Sequence, residues 1–273
     1  MELKAVGYAM DERVATITLN RPHRMNAWTG RMHTEYRWCV QQAEDDPEVR
    51  AIVVTGVGRA FCAGADATAL EGHIEKGGYD PGTNAAELAT PGYGVRPEFD
   101  ENFAYHFGLT KPVIAAINGP AAGVGLVLAC YADIRFAVAD AKLTTSHGKL
   151  GLPAEYGLSW LLPRLIGVSR ANDMLLSSRV VLASEGERMG LINAVFETPG
   201  EMLEHANGYA RMLATQVAPS SLRETKRQLY ADLLHGDVGA SVRESEVLLN
   251  RMMTEPDFRE GVRAFVGKRP PAF

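Results

Sequence analysis

PVIAAINGPAAGVGLVLACYA, residues Pro112–Ala132, is uncharged over a length just sufficient to cross a bilayer. Asn118-Gly119-Pro120 breaks it with a turn and Gly123 and Gly125 follow, so it reads as a buried strand, a turn and a buried helix. Working outward, AIVVT (Ala51–Thr55) and DIRFAVA (Asp133–Ala139) are further short apolar strands. Strands with no polar alternation are buried on both faces, as in a parallel sheet covered by helices. RVATITLN (Arg13–Asn20) has the β-branched content of another strand and stops at Arg21-Pro22. Between it and Ala51, residues Met32, Tyr36, Cys39, Val40 and Ala43 recur at helical spacing over Gly30–Glu44. Strand, helix and strand together form a βαβ-like unit.

Residues 1–20 alternate like a strand hairpin around Asp11 and Glu12, without the basic start and apolar run of a signal peptide. Gly58–Asp66 is a glycine-punctuated loop, and Ala67–Lys76 is expected to be a short helix. Gly77–Glu101, rich in Gly and Pro with little periodicity, reads as a long loop placed to cover a site. Leu158–Leu165 is an apolar helix, and from about Ser169 the pattern is helical and nearly free of strand signal. The expectation is an α/β core over residues 1–195 and a helical segment over 196–273.

With 273 residues, 46% of them hydrophobic and 22% charged, the chain falls in the globular class. The 28 basic and 33 acidic residues give −5 with no long single-sign run, which excludes an electrostatic footprint for nucleic acid or anionic membrane. Cys39, Cys62 and Cys130 are odd in number, far apart and in no Cys-x-x-Cys spacing. Free thiols in a reducing compartment follow, and a cytoplasmic protein is expected.

Several catalytic templates fail. There is no Gly-x-Ser-x-Gly elbow for Ser146 or Ser159, no His-Glu-x-x-His, and therefore no expected metal site. VVTGVGRAF has Phe61 at the third glycine of a dinucleotide fingerprint. What remains are two glycine-rich turns between strand and helix, Cys62–Asp66 and Ala122–Gly125. They read either as places of close backbone packing or as paired sources of free N–H groups for a developing oxyanion. The second reading requires a substrate carbonyl that becomes enolate-like.

The segments NRPHRMNA (Asn20–Ala27), IVVTGVGRAFCAGAD (Ile52–Asp66), Pro112–Ile134, GLPAEYGLSWLLPRLIG (Gly151–Gly167) and FVGKRPPAF (Phe265–Phe273) together resemble the enoyl-CoA hydratase/isomerase, or crotonase, family. The resemblance implies a fold of repeated ββα turns, C-terminal helices that assemble a homotrimer or dimer of trimers, and an acyl-CoA thioester substrate with no separate cofactor. It implies that the oxyanion donors are the backbone N–H groups of Ala65 and Val124. Ala63, Asp66, Ala67, Thr68 and Gly123 would line the thioester and pantetheine path. His23, Arg24 and Met25 would meet the CoA, with Lys268 and Arg269 near its nucleotide end, from the same or a neighbouring subunit; Arg24 as a solvated surface charge remains open.

The carboxylates depart from the family pattern. Where family hydratases carry glutamates this chain has Val127 and His147. Glu155 instead occupies a place where double-bond isomerases of the family carry an acid. The resemblance therefore implies an acyl-CoA enzyme forming a thioester enolate, with isomerisation by Glu155 favoured. Hydratase or lyase chemistry by His147 and Glu155, or a non-catalytic acyl-CoA-binding homologue, are the alternatives. A helix-terminal role for Glu155 and a core role for His147 also remain open.

Overall fold

The computed structural model describes residues 2–68, 71–72 and 97–273. Strands β1 (Val6–Asp11) and β2 (Val14–Leu19) form the N-terminal hairpin, and helix α1 (Gly30–Asp45) leads to β3 (Ala51–Gly56). Thr29 caps α1 by accepting the Met32 N–H at 3.2 Å. On its inner face Glu35 accepts the N–H groups of Lys4, Ala5 and Val6, which ties the helix to the entry of β1.

Next come β4 (Val113–Ile117), the two-residue β5 (Ala121–Ala122), α2 (Val124–Tyr131), β6 (Ile134–Val138) and β7 (Lys142–Thr144). After an irregular stretch follow α3 (Leu158–Ile166), α4 (Val168–Ser177), β8 (Val181–Leu182), α5 (Ala183–Met189) and β9 (Ala194–Phe196). Four helices complete the chain: α6 (Pro199–Gln216), α7 (Pro219–Asp232), α8 (Val238–Met252) and α9 (Pro256–Val266).

The main sheet has the order β1-β2-β3-β4-β6-β9 and is parallel beyond the β1–β2 hairpin. A second sheet pairs β5, β7 and β8. The α/β expectation and the parallel βαβ unit match this arrangement. The reading of the chain from about Ser169 as helical and nearly free of strand signal fits the helices there but passes over two strands: β8 has two residues and β9 pairs with β6 through three, too few to leave a period. In α6 the apolar residues Leu203, Tyr209 and Leu213 are half-buried. They pack with buried Met202, Ala206, Ala210 and Ala214 against the main sheet of their own chain, so α6 closes the core. Of the expected helix over Ala67–Lys76, residues 67, 68, 71 and 72 are helical. Most of the loop over Gly77–Glu101 lies outside the described residues; its end forms a short turn of helix at Pro97–Phe99.

The loops leaving β3 and β4 are locked together. Asn118 accepts the Gly56 N–H and donates to Gly58 O, while Asn26 accepts the Arg21 N–H and donates to Val57 O and Ala60 O. These side chains supply buried backbone groups that no ladder reaches. Glycine is required at Gly119 and Gly125, where a Cβ would stand 2.2 Å from Arg59 O and Cys62 O.

Candidate active site

The two glycine turns face one another at the sheet ends. Cys62 N–H donates to Pro120 O and Ala122 N–H to Cys62 O, so the segments run side by side. Gly64 (φ +106°) and Gly123 (φ +49°) both take left-handed backbone that favours glycine. A Cβ on Gly64 would approach Ala122 O to 3.2 Å, and one on Gly123 would stand 3.9 Å from Gly64 Cα. The turns therefore meet through bare backbone.

Trp28 N–H donates to Gly64 O and Asp66 N–H to Trp28 O, so the backbone on both sides of Ala65 is tied to Trp28. Val124 opens α2, where an N–H has no helical partner. Among the described residues, neither the Ala65 nor the Val124 N–H donates to any protein group. That pairing of unspent donors on adjacent turns is what an oxyanion site requires.

Glu155 is the acid beside them. A Cβ on Gly123 would lie 3.9 Å from its Oε2. The carboxyl is half-buried, and burial pushes its pKa up from the ordinary value, with the nearby His147 pulling weakly the other way. Among the described residues it has no hydrogen-bond or salt-bridge partner. His147 is buried in a short helical turn, and its Nδ1 is enclosed without a partner. Val127 lies fully in the core of α2, so no side chain there reaches a substrate with a proton.

Glu155 owes its place to a residue the sequence reading missed. Tyr156 (φ +47°) and Gly157 (φ +75°) are consecutive left-handed residues, and Tyr131 Oη donates to Tyr156 O at 2.7 Å. Tyr131 ends the helix that Val124 begins, so one element carries the Val124 N–H and tethers the loop that bears Glu155. The hydroxyl fills the space over Gly157, where a Cβ would come within 2.8 Å of it. No periodicity marks this role, because Tyr131 reads as one more apolar residue of α2.

On the other flank Asp66 is pinned by Arg21, whose Nη1 lies 2.9 Å from Oδ2 and also donates to Ala27 O. Burial would raise the Asp66 pKa, but the Arg21 hydrogen bond, the Thr68 N–H and the charges of Arg21 and Arg24 together hold it below the ordinary value. Asp66 thus caps the residues 67–68 that follow it. Arg21 was legible only as part of a motif; its partner lies 45 residues away. Ala63 N–H donates to Met25 O, and Ala63, Ala67 and Thr68 are exposed along the same rim as Arg24. Met25 (φ +53°) has its Sδ 2.9 Å from Arg59 Nε.

Lys268 does not join this group within one chain. It is exposed after α9, and the tail beyond it ends where Arg13 donates to Phe273 O, at the opposite end of β2 from Arg21. All three cysteines are buried and free, with burial pushing Cys39 and Cys62 to about 12 and Cys130 to about 11. Among the described residues no three His, Cys, Asp or Glu side chains cluster as a metal site would, and no helix is long and apolar enough to cross a membrane.

Residues 9–273 match the family model for enoyl-CoA hydratase/isomerase. The chain is 34% identical over 266 residues to the 1,2-epoxyphenylacetyl-CoA isomerase of Escherichia coli K12, covering 97% of this chain and 96% of that one. The crystal structure of an enoyl-CoA hydratase from Bacillus anthracis superposes with a TM-score of 0.83 at 27% identity, covering 99% of each chain. One from Polaromonas sp. JS666 gives 0.83 at 26%, covering 98% of this chain and 99% of that one. With the crotonase fold and a match along nearly its whole length, the chain belongs to the enoyl-CoA hydratase/isomerase family of enzymes acting on CoA thioesters.

Proposed function

We propose that this enzyme moves a double bond in an enoyl-CoA thioester, with Glu155 as both base and acid. The observation that carries the reading is the half-buried, unpartnered Glu155 carboxylate over Gly123, beside the turns that bear two unspent N–H donors, with Val127 in the place of a second acid. Glu155 takes a C2 proton from a 3-enoyl thioester, and the electron pair passes through the carbonyl carbon onto oxygen. Ala65 and Val124 N–H groups hold that dienolate oxygen. The electrons then return through the C2–C3 bond as Glu155 delivers the proton to C4, leaving a 2-enoyl thioester. A base that must also act as acid benefits from a raised pKa. Arg24, Met25, Ala63, Asp66, Ala67 and Thr68 would bound the thioester and pantetheine. In a homotrimer or dimer of trimers, Lys268 of a neighbouring copy would meet the nucleotide.

Water addition by His147 and Glu155 is the second reading, favoured by the enclosed, unpartnered Nδ1 of His147. Proton exchange into the thioester α-position from deuterated water separates them. Glu155→Gln should lose roughly 10²–10⁴-fold of the exchange rate, with His147→Gln costing less. Equal losses in both variants favour the hydratase pair, and acyl-CoA binding with no effect of either change favours a binding protein.

A further inference from the structure

Beside Tyr156 and Gly157, the two residues that follow Glu155, lies a cavity of about 470 Å³. That volume is within the range of small-molecule pockets, roughly 300–1,000 Å³. Tyr156 and Gly157 form part of its wall, so the cavity adjoins the loop that carries Glu155.

Among the described residues the wall is dominated by rings: Phe99, Phe107, Tyr131, Tyr156 and Trp160. Each ring named next is held from behind. Phe107 stacks on Tyr230 with centroids 4.0 Å apart and planes 13° from parallel. The Arg164 guanidinium sits 3.9 Å over Trp160. Tyr131 is tethered through its hydroxyl, and Tyr156 meets Phe103 edge-on at 5.0 Å. Linear alkyl chains are served well by adaptable aliphatic or methionine walls, whereas fixed rings reward a flat partner that can offer edge or face at 4.5–7 Å. A preformed wall also spares the ordering cost of binding. Glu98 and Glu101, both exposed, border the same space and disfavour an anionic acyl end.

We propose that the acyl group of the substrate ends in an uncharged aromatic ring that occupies the cavity between Tyr156, Phe107 and Trp160. This rests on the enoyl-CoA reading above, and the test is chosen to be independent of turnover. Saturated CoA thioesters bind without reacting, so isothermal calorimetry on the full-length protein compares 4-phenylbutanoyl-CoA with linear octanoyl-CoA. The phenyl thioester should bind about tenfold more tightly, equivalent to about 1.4 kcal/mol. Trp160→Leu and, separately, Phe107→Leu should bring the ratio towards one. Affinities within about twofold of each other in the unaltered protein, or a linear preference, overturn the assignment. A ratio that survives both substitutions also overturns it, since the rings would then not be the cause. Loss of α-proton exchange on every substrate with the binding preference intact would sink the isomerase reading alone.

Discussion

The turns bearing Ala65 and Val124 lie in the locked segments that leave β3 and β4, whereas His147 and Glu155 sit on residues 145–157, which contain no strand and four residues of positive φ, namely Ser146, Gly151, Tyr156 and Gly157. The first region is built of backbone pressed on backbone, with glycine where a Cβ would collide. The second hangs on a few side-chain bonds: Ser178 Oγ to the Gly148 N–H, Thr145 to Met174 O, and Tyr131 to Tyr156 O. The difference teaches how such a site divides its labour. On the proposed reading the oxyanion donors are built into the frame, while the proton-moving group is carried where one substitution can relocate or retune it.

The largest effect expected from breaking this contrast comes on the rigid side. Ala65→Pro deletes one donor outright, and turnover should fall about 100-fold or more with CoA affinity little changed. Steady-state kinetics alongside calorimetry check it; equal loss of both would mean that the turn merely packs. An intermediate effect is expected from Tyr131→Phe, which keeps the ring and removes the tether. The rate should drop roughly tenfold at nearly constant KM, because a carboxylate misplaced by a fraction of an ångström loses its near-attack geometry. The acid limb of its pH–rate profile should also move to lower pH, since a looser Glu155 is better hydrated and easier to ionise. A purely structural tyrosine would lower the melting temperature without moving that limb.

The smallest effect concerns stability. The Glu155 pKa is raised in the folded state, so the folded protein holds its proton more tightly than the unfolded chain. Stability attributable to this group is therefore present below the unfolded pKa and lost as pH rises through the folded one. Glu155→Gln should accordingly be more stable than the parent at neutral pH, with the gain vanishing below the ordinary glutamate range, as thermal melts across pH would record.

Much of the frame was legible because burial on both faces leaves uninterrupted apolar runs, as in Ala51–Thr55 and Val113–Ile117. The turns were legible for a related reason: glycines 64, 123 and 125 stand where backbone strain or contact permits nothing larger. Other features left no local trace. The three residues of β9 gain their strand identity only by pairing with Phe136–Val138. The apolar stripe of α6 does not say whether it faces its own sheet or another subunit. Arg21 and Asp66, like Tyr131 and Tyr156, are partners across long sequence separations, and only folding brings their complementary groups together.

The central claim is that Ala65 and Val124 hold one oxygen. A crystal structure with acetoacetyl-CoA, an unreactive enolisable thioester, tests it most directly. The account predicts the thioester oxygen within about 2.7–3.1 Å of both N–H groups, with Glu155 facing C2. An oxygen bound by side chains elsewhere, or either N–H turned into a protein hydrogen bond, would contradict it.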